Sequence, residues 1–262
     1  MDLGIAGKKA IVNGGSAGLG RGSALALARE GVDLFVSARG EERLRRSCDE
    51  IGNETGVSVT PIVADHSTDE GRERILAACP EPDILVMTCS PPQTTSNFRE
   101  IEPTDWYDNL AVTLISPVEF VRVTIDGMIE RGFGRIVNVG TVAAKFPTEV
   151  RILSGAPRAA LNNYLVAVAK KAAPYNVAVN NLLPGMHHTA GIEEGFRSRA
   201  AANGTSYEEE VQKLAKSWRI PARGFGDADD FGVFCALLCS QQARYVIGQS
   251  LVVDGGVGNM TF

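Results

Sequence analysis

The sequence predicts an α/β domain built on a doubly wound parallel sheet of about seven strands, and three observations carry that expectation. Short β-branched runs alternate with longer stretches of helical spacing along the whole chain. Several runs are apolar at every position rather than at every second one, as strands covered by helices on both faces must be. A glycine cluster lies where the first run gives way to the first helical stretch, the place where such a chain turns sharply at the carboxyl end of a strand.

In order, the runs are AIVN (10–13), VDLFVSA (32–38), VSVTPIV (57–63), DILVMT (83–88), GRIVNV (134–139), NVAVNNLL (176–183) and SLVVD (250–254). Right-handed crossovers between parallel neighbours leave few arrangements of such strands. The glycine cluster opens an amphipathic helix, WYDNLAVTLISP (106–117) reads as another, and DFGVFCALLCSQQ (230–242) as the last. Residues 190–220 depart from the alternation. They are polar, helical in pattern, and stand between the sixth run and the last helix. That segment is expected to be a lid or substrate-binding insertion, or else a solvated pair of surface helices. No repeat or linker divides the chain, so 1–262 is read as one domain, with 1–100 mainly the nucleotide-binding half.

Composition narrows the function. At 262 residues the chain can enclose one large core. It is 44% hydrophobic and 22% charged, and no apolar run approaches the ~20 residues that span a bilayer. No membrane partner is expected. The amino terminus lacks a cationic start followed by an apolar stretch, so a cytoplasmic location is expected. Five cysteines, an odd number without CxxC spacing, argue against a disulfide framework and against zinc. No metal site is expected. A net charge of -5 with no basic stripe gives no footprint for nucleic acid, which leaves small molecules as partners.

The first chemical motif is NGGSAGLGRGSALALAREG (13–31). Glycines at such a turn allow close approach of backbone to a pyrophosphate, and the following helix offers free N–H groups to the anion. Gly14, Ser16, Gly18, Leu19 and Gly20 are the candidate dinucleotide loop.

This loop resembles the T-G-x-x-x-G-x-G of the short-chain dehydrogenase/reductase family, with Asn13 in place of the threonine. AAPYNVAVNNLLPG (172–185) and IPARGFGDADDFGVFCALLCSQQARYVIGQSLVVDGG (220–256) are similar to that family's sixth-strand and carboxy-terminal regions. The resemblance runs nearly end to end and implies a single Rossmann-like domain that binds a nicotinamide dinucleotide. Ala38 stands where NAD-preferring members carry Asp, and Arg39 follows it with a guanidinium suited to a 2′-phosphate. NADP(H) is favoured and NAD(H) remains possible, since Arg39 also reads as a solvated charge. By resemblance alone, Asp65 meets adenine, Thr189 the nicotinamide carboxamide, and Pro184 and Gly185 flank the ring. The resemblance also implies a homo-oligomer, a tetramer or a dimer, formed through the last helix and last strand.

The family's Y-x-x-x-K pair falls on Ser154 and Arg158, so both catalytic residues are replaced. The family serine maps onto Thr141, which keeps a hydroxyl. The family asparagine maps onto Thr113, and the N-N-A-G run reads Met87, Thr88, Cys89, Ser90. A tyrosine phenol of pKa ~10, helped by lysine, serves as the general acid in that family. Serine is far less acidic, and Arg158 holds its charge without giving up a proton. Arg158 is therefore assigned to a cofactor ribose, a substrate carboxylate or a developing oxyanion. Ser154 has a second reading: with Pro157 in a first turn, it would be the N-cap of the helix. Thr141 is the candidate hydrogen-bond donor to substrate, and Thr113 fills space. Of the pair His187 and His188, an imidazole could replace the missing acid because its pKa lies near ~6.5, and His188 is the candidate; Lys145 is a weaker one.

Three functions follow. The first is an NADP(H)-dependent oxidoreductase acting on a ketone or secondary alcohol of an apolar or acyl substrate, with an altered proton path. The second is a non-redox enzyme on the same scaffold. The third is a catalytically silent protein that binds a dinucleotide.

Overall fold

The computed structural model describes residues 1–95 and 97–258. Seven strands, β1 (Lys9–Asn13), β2 (Asp33–Ala38), β3 (Val59–Val63), β4 (Ile84–Met87), β5 (Gly134–Val139), β6 (Val177–Pro184) and β7 (Ser250–Val253), form one sheet in the order β3-β2-β1-β4-β5-β6-β7. Every pairing is parallel. Each apolar run of the sequence becomes a strand, because a strand buried on both faces must be apolar throughout.

Nine helices among the described residues link the strands: α1 (Gly18–Arg29), α2 (Glu41–Thr55), α3 (Asp69–Ala78), α4 (Pro103–Leu110), α5 (Ser116–Glu130), α6 (Ile152–Ala172), α7 (Ala190–Asn203), α8 (Tyr207–Ser217) and α9 (Ala228–Cys239). The pleat of β1 sends Ala10 and Val12 into the core shared with Leu27 of α1, Leu44 of α2 and Phe231 of α9. Ile11 points the other way, to the core shared with Ile75 of α3, Phe120 of α5 and Leu165 of α6. Three layers result, with the sheet in the middle.

Two features of the helices matter for the site. Between α4 and α5 the backbone makes one π-helical turn, Ala111–Ile115, which holds Thr113; such bulges re-aim the residues around them. At the crossing of α1 and α9, a Cβ on Gly22 would lie 2.1 Å from the Ala228 carbonyl oxygen, and one on Gly232 2.1 Å from that of Gly22. Only glycine allows this backbone contact, which fixes α9 beside the nucleotide end of α1.

Residues 190–220 fold as α7 and α8. α8 starts with a capping box in which Ser206 accepts from the Glu209 N–H and the Glu209 carboxylate accepts from the Ser206 N–H. Phe196 of α7 packs edge-on against Phe225 and Tyr207. No helix among the described residues is long and apolar enough to cross a membrane.

Candidate active site

Strand order reverses direction between β1 and β4, and ligands of open α/β sheets enter at the carboxyl ends of strands beside such a point. The glycine loop leaves β1 there. Gly14 has φ +68°, and a Cβ on it would lie 2.5 Å from the Thr88 hydroxyl; a Cβ on Gly20 would lie 2.3 Å from the Gly14 carbonyl oxygen. The loop therefore closes on itself and on the end of β4 with no room for side chains.

Helix α1 begins with Ala17 at its N-cap. No side chain caps it, and no acidic residue occupies its first turn. Its first N–H groups and the positive end of its dipole consequently face the cleft without a protein acceptor, as an anion-binding helix start requires. Ser16 is buried, and Gly14, Gly18, Leu19 and Gly20 line the cleft. This cradle fits a dinucleotide pyrophosphate.

Asn13, at the threonine position, accepts from the Ser37 hydroxyl at 2.8 Å through its side-chain oxygen and through its carbonyl oxygen from the Thr88 hydroxyl at 2.9 Å. These bonds hold the ends of β1, β2 and β4 together. Beyond β2, Arg39 is largely exposed and lies 3.8 Å from the Asp65 carboxylate. Asp65 accepts from the N–H and the hydroxyl of Ser67 at 2.9 and 2.7 Å. Burial works against its charged form, but the Ser67 bonds and the nearby Arg39 prevail and hold its pKa below the ordinary carboxylate value. Arg43, unremarked in the sequence, also lines the cleft.

The cleft measures about 380 Å³ and continues from the glycine loop past Thr141, Ser154, Arg158, Pro184, Gly185 and Thr189. Thr141 stands at the end of β5, and its hydroxyl accepts from the Ala143 N–H at 3.3 Å; its own proton is free to point into the cleft. Thr189 caps α7 and also bounds the glycine loop, since a Cβ on Gly18 would lie 3.1 Å from its methyl group.

The N-cap reading of Ser154 does not hold. Helix α6 is capped by Arg151 and starts at Ile152, so Ser154 lies inside it, and Pro157 does as well. A proline there leaves the carbonyl four residues earlier without its helical donor. The side-chain amide of Asn109, from α4, donates to that carbonyl, Leu153. A tertiary contact thus lets the helix continue through the proline, and Ser154 is left with its side chain in the cleft wall.

Ser154 and Arg158 are each only 4% exposed. The Arg158 guanidinium donates to the Ser154 hydroxyl oxygen at 3.2 Å, to the Ser154 carbonyl at 3.3 Å and to the Cys89 sulfur at 2.9 Å. No carboxylate among the described residues pairs with it. Thr113 is buried and donates to the Asn109 carbonyl at 2.7 Å, one helical turn back, which spends its proton within the helix.

The two histidines part company. His187 lines the cleft, buried, with Nδ1 at 3.3 Å from the Gly185 carbonyl, and burial lowers its pKa. His188 turns towards α8, where Nδ1 lies 2.5 Å from the Tyr207 hydroxyl, and its ring packs beside Phe225. It is not among the residues lining the cleft. Lys145 also lies outside that lining.

Arg151, which the sequence reading passed over, is brought into the same wall. Its helical spacing was a usable signal, because 151, 154 and 158 fall on one face of α6. What concealed it was the expectation that the helix began later.

The short chain dehydrogenase family pattern matches residues 8–199. The chain is 27% identical to an uncharacterised oxidoreductase of Bacillus subtilis over the whole of both chains. It is 27% identical to the 3-oxoacyl-(acyl-carrier-protein) reductase of Aquifex aeolicus, covering 98% of this chain and 100% of that one. Among solved structures, L-sorbose reductase from Gluconobacter frateurii, complexed with NADPH and L-sorbose, superposes with a TM-score of 0.93 at 26% identity over 98% of each chain. A 3-oxoacyl (acyl-carrier-protein) reductase from Agrobacterium tumefaciens with NADP bound gives 0.86 at 25% identity over 97% of this chain and 96% of that one. With the sheet order, the glycine cradle and a sequence match covering most of its length all in agreement, the chain belongs to the short-chain dehydrogenase family.

Proposed function

We propose that this protein is an NADP(H)-dependent oxidoreductase that interconverts a ketone and a secondary alcohol through a polar wall of Thr141, Ser154 and Arg158. The observation that carries the reading is the uncapped, acid-free start of α1 inside a cradle closed by Gly14 and Gly20, opening into the same cleft as those three side chains. Gly14, Ser16, Gly18, Leu19 and Gly20 would hold the pyrophosphate, with Pro184, Gly185 and Thr189 beside the nicotinamide and Asp65 beside adenine. Ala38 leaves the end of β2 itself without a carboxylate, and Arg39 with Arg43 places positive charge there. That pattern supports a 2′-phosphate. Relatives that carry NADPH or NADP agree with it.

When bound, the nicotinamide would supply or accept a hydride. The chain's own residues look after the oxygen. The Thr141 hydroxyl donates to the substrate oxygen. Arg158 adds positive charge where negative charge develops, and burial strengthens that field. Because the Ser154 oxygen accepts from Arg158, its proton is directed away from the guanidinium and towards the cleft. Ser154 Oγ can thus pass a proton to the substrate oxygen and recover one from water, a slower route than a phenol offers. Met186, Ile192 and Trp218 add apolar surface to the cleft, which supports an aliphatic or acyl substrate body. Helices α7 and α8 act as the lid.

Replacement of the usual Tyr and Lys favours a second reading, a protein that binds the dinucleotide without turning over. Fluorescence titration with NADPH and NADH, followed by carbonyl and alcohol screens read at the reduced-nicotinamide absorbance, separates the two. Tight NADPH binding with turnover is expected. Binding without turnover on any substrate selects the silent protein, and no binding at all overturns both.

A further inference from the structure

We infer that Arg151 is a carboxylate-binding residue and that the substrate is an oxo acid or the corresponding hydroxy acid; the inference rests on the oxidoreductase reading and narrows its substrate class. The cleft contains three formal positive charges, Arg43, Arg151 and Arg158, and no aspartate or glutamate lines it among the described residues. Arg43 belongs to the glycine-loop end, one turn into α2. Arg151 and Arg158 lie at the other end, on one face of α6 with Ser154 between them in sequence.

Buried guanidinium groups are ordinarily paired. Arg158 is buried and Arg151 partly so, and neither has a carboxylate within 4 Å among the described residues, although ten ion pairs occur elsewhere among them. Arg158 donates only to neutral oxygens and a sulfur. Arg151 is partly buried, and burial, with the like charge of Arg158, pushes its pKa down. An anion in the cleft would relieve both effects.

The position of Arg151 is also fixed from behind. Its N–H donates to the Thr148 carbonyl at 3.2 Å, and its carbonyl accepts from the Ser154 and Gly155 N–H groups at 3.0 and 2.7 Å. The guanidinium is therefore presented from an anchored helix start. One arginine is enough to stabilise a carbonyl oxygen. The second is surplus to that task, and its fork of donors matches a carboxylate held in pairs. A substrate with its carbonyl at Thr141, its carboxylate at Arg151 and its aliphatic carbons along Met186 and Ile192 sets a complementary group against each of these lining residues.

The test compares acids with their neutral esters. Acetoacetate and 4-oxopentanoate, and the methyl ester of each, are titrated into the full-length protein by calorimetry, with thermal unfolding midpoints confirming that every variant is folded. In the wild type the acids are expected to bind at least tenfold tighter than the esters. Arg151→Met is expected to remove at least tenfold of that advantage, and Arg151→Lys to restore part of it. The wild-type comparison needs no variant, so a failure of Arg151→Met to fold does not shield the inference. Equal binding of acid and ester, no binding of either acid, or an acid preference that survives Arg151→Met overturns it. NADPH oxidation is followed separately with both compounds. Reduction of ester and acid at equal rates removes the carboxylate site and leaves the oxidoreductase reading intact. Acid binding that depends on Arg151, with no oxidation of NADPH by any carbonyl compound, preserves the site and removes the oxidoreductase reading.

Discussion

The Arg158 guanidinium donates to the hydroxyl oxygen of Ser154 at 3.2 Å, one helical turn away, while both side chains are all but buried. If the family resemblance holds residue by residue, the same two positions would ordinarily carry an acid and the ammonium that tunes it. Here they carry a fixed charge and a hydroxyl whose acceptor side is already occupied. The pair is suited to stabilising an oxyanion more than to delivering a proton quickly.

If proton delivery is the slow feature, restoring the phenol should help. Ser154→Tyr combined with Arg158→Lys is expected to raise kcat for NADPH-dependent reduction by at least tenfold, since a well-placed general acid contributes ~100-fold or more. Steady-state kinetics on a substrate found in the screen would show it, and an unchanged or lower kcat would mean that the cleft has been rebuilt around the hydroxyl.

Thr141 offers a proton that no residue among those described takes up. Thr141→Val keeps the shape and removes the donor. A lost hydrogen bond to a charged oxygen is worth about 1.5–3 kcal/mol, so kcat/KM should fall roughly 10-fold to 100-fold. Calorimetric affinity for NADPH, measured alongside, distinguishes this from damage to the cofactor site.

Arg39 is exposed, so its contribution to phosphate recognition is screened. Arg39→Ala is expected to lower the ratio of NADPH affinity to NADH affinity by about tenfold, near the lower end for a charge-assisted bond. A ratio that does not move would return Arg39 to the role of a solvated surface charge and pass the 2′-phosphate to Arg43.

The pair α7 and α8 has a titratable anchor. Glu210 is buried and accepts from Lys213 at 2.7 Å, from the Thr205 hydroxyl at 2.7 Å and from Asn203 at 3.3 Å. These bonds, Lys213 first, pull its pKa down from 4.5 to about 2. A carboxyl whose pKa is lower in the folded chain stabilises the fold fully above pH 4.5 and loses that contribution as pH falls towards 2. Between pH 5 and pH 2, the unfolding midpoint of wild type should therefore fall more steeply than that of Glu210→Gln. Parallel midpoints would show that the helix pair holds without this carboxylate.

What the sequence settled by itself was whatever depends on local chemistry. An apolar run such as ILVM at β4 is a buried strand wherever it sits, because its side chains have no favourable place in water on either face. The glycines at 14 and 20 announce a backbone turn that no side chain could enter, and the serine at 154 and arginine at 158 are read without coordinates. Other matters depended on groups distant in the chain. Pro157 reads locally as a helix start, yet the helix passes through it because Asn109, 44 residues before Leu153, supplies the missing donor. Helix α6 starts ahead of Pro157, so Arg151, Ser154 and Arg158 line one wall, and the fold separately parts His187 on the cleft from His188 beside Tyr207. The charge of the substrate end was decided by packing, since only the fold determines which arginines are left facing a cavity with no carboxylate to neutralise them.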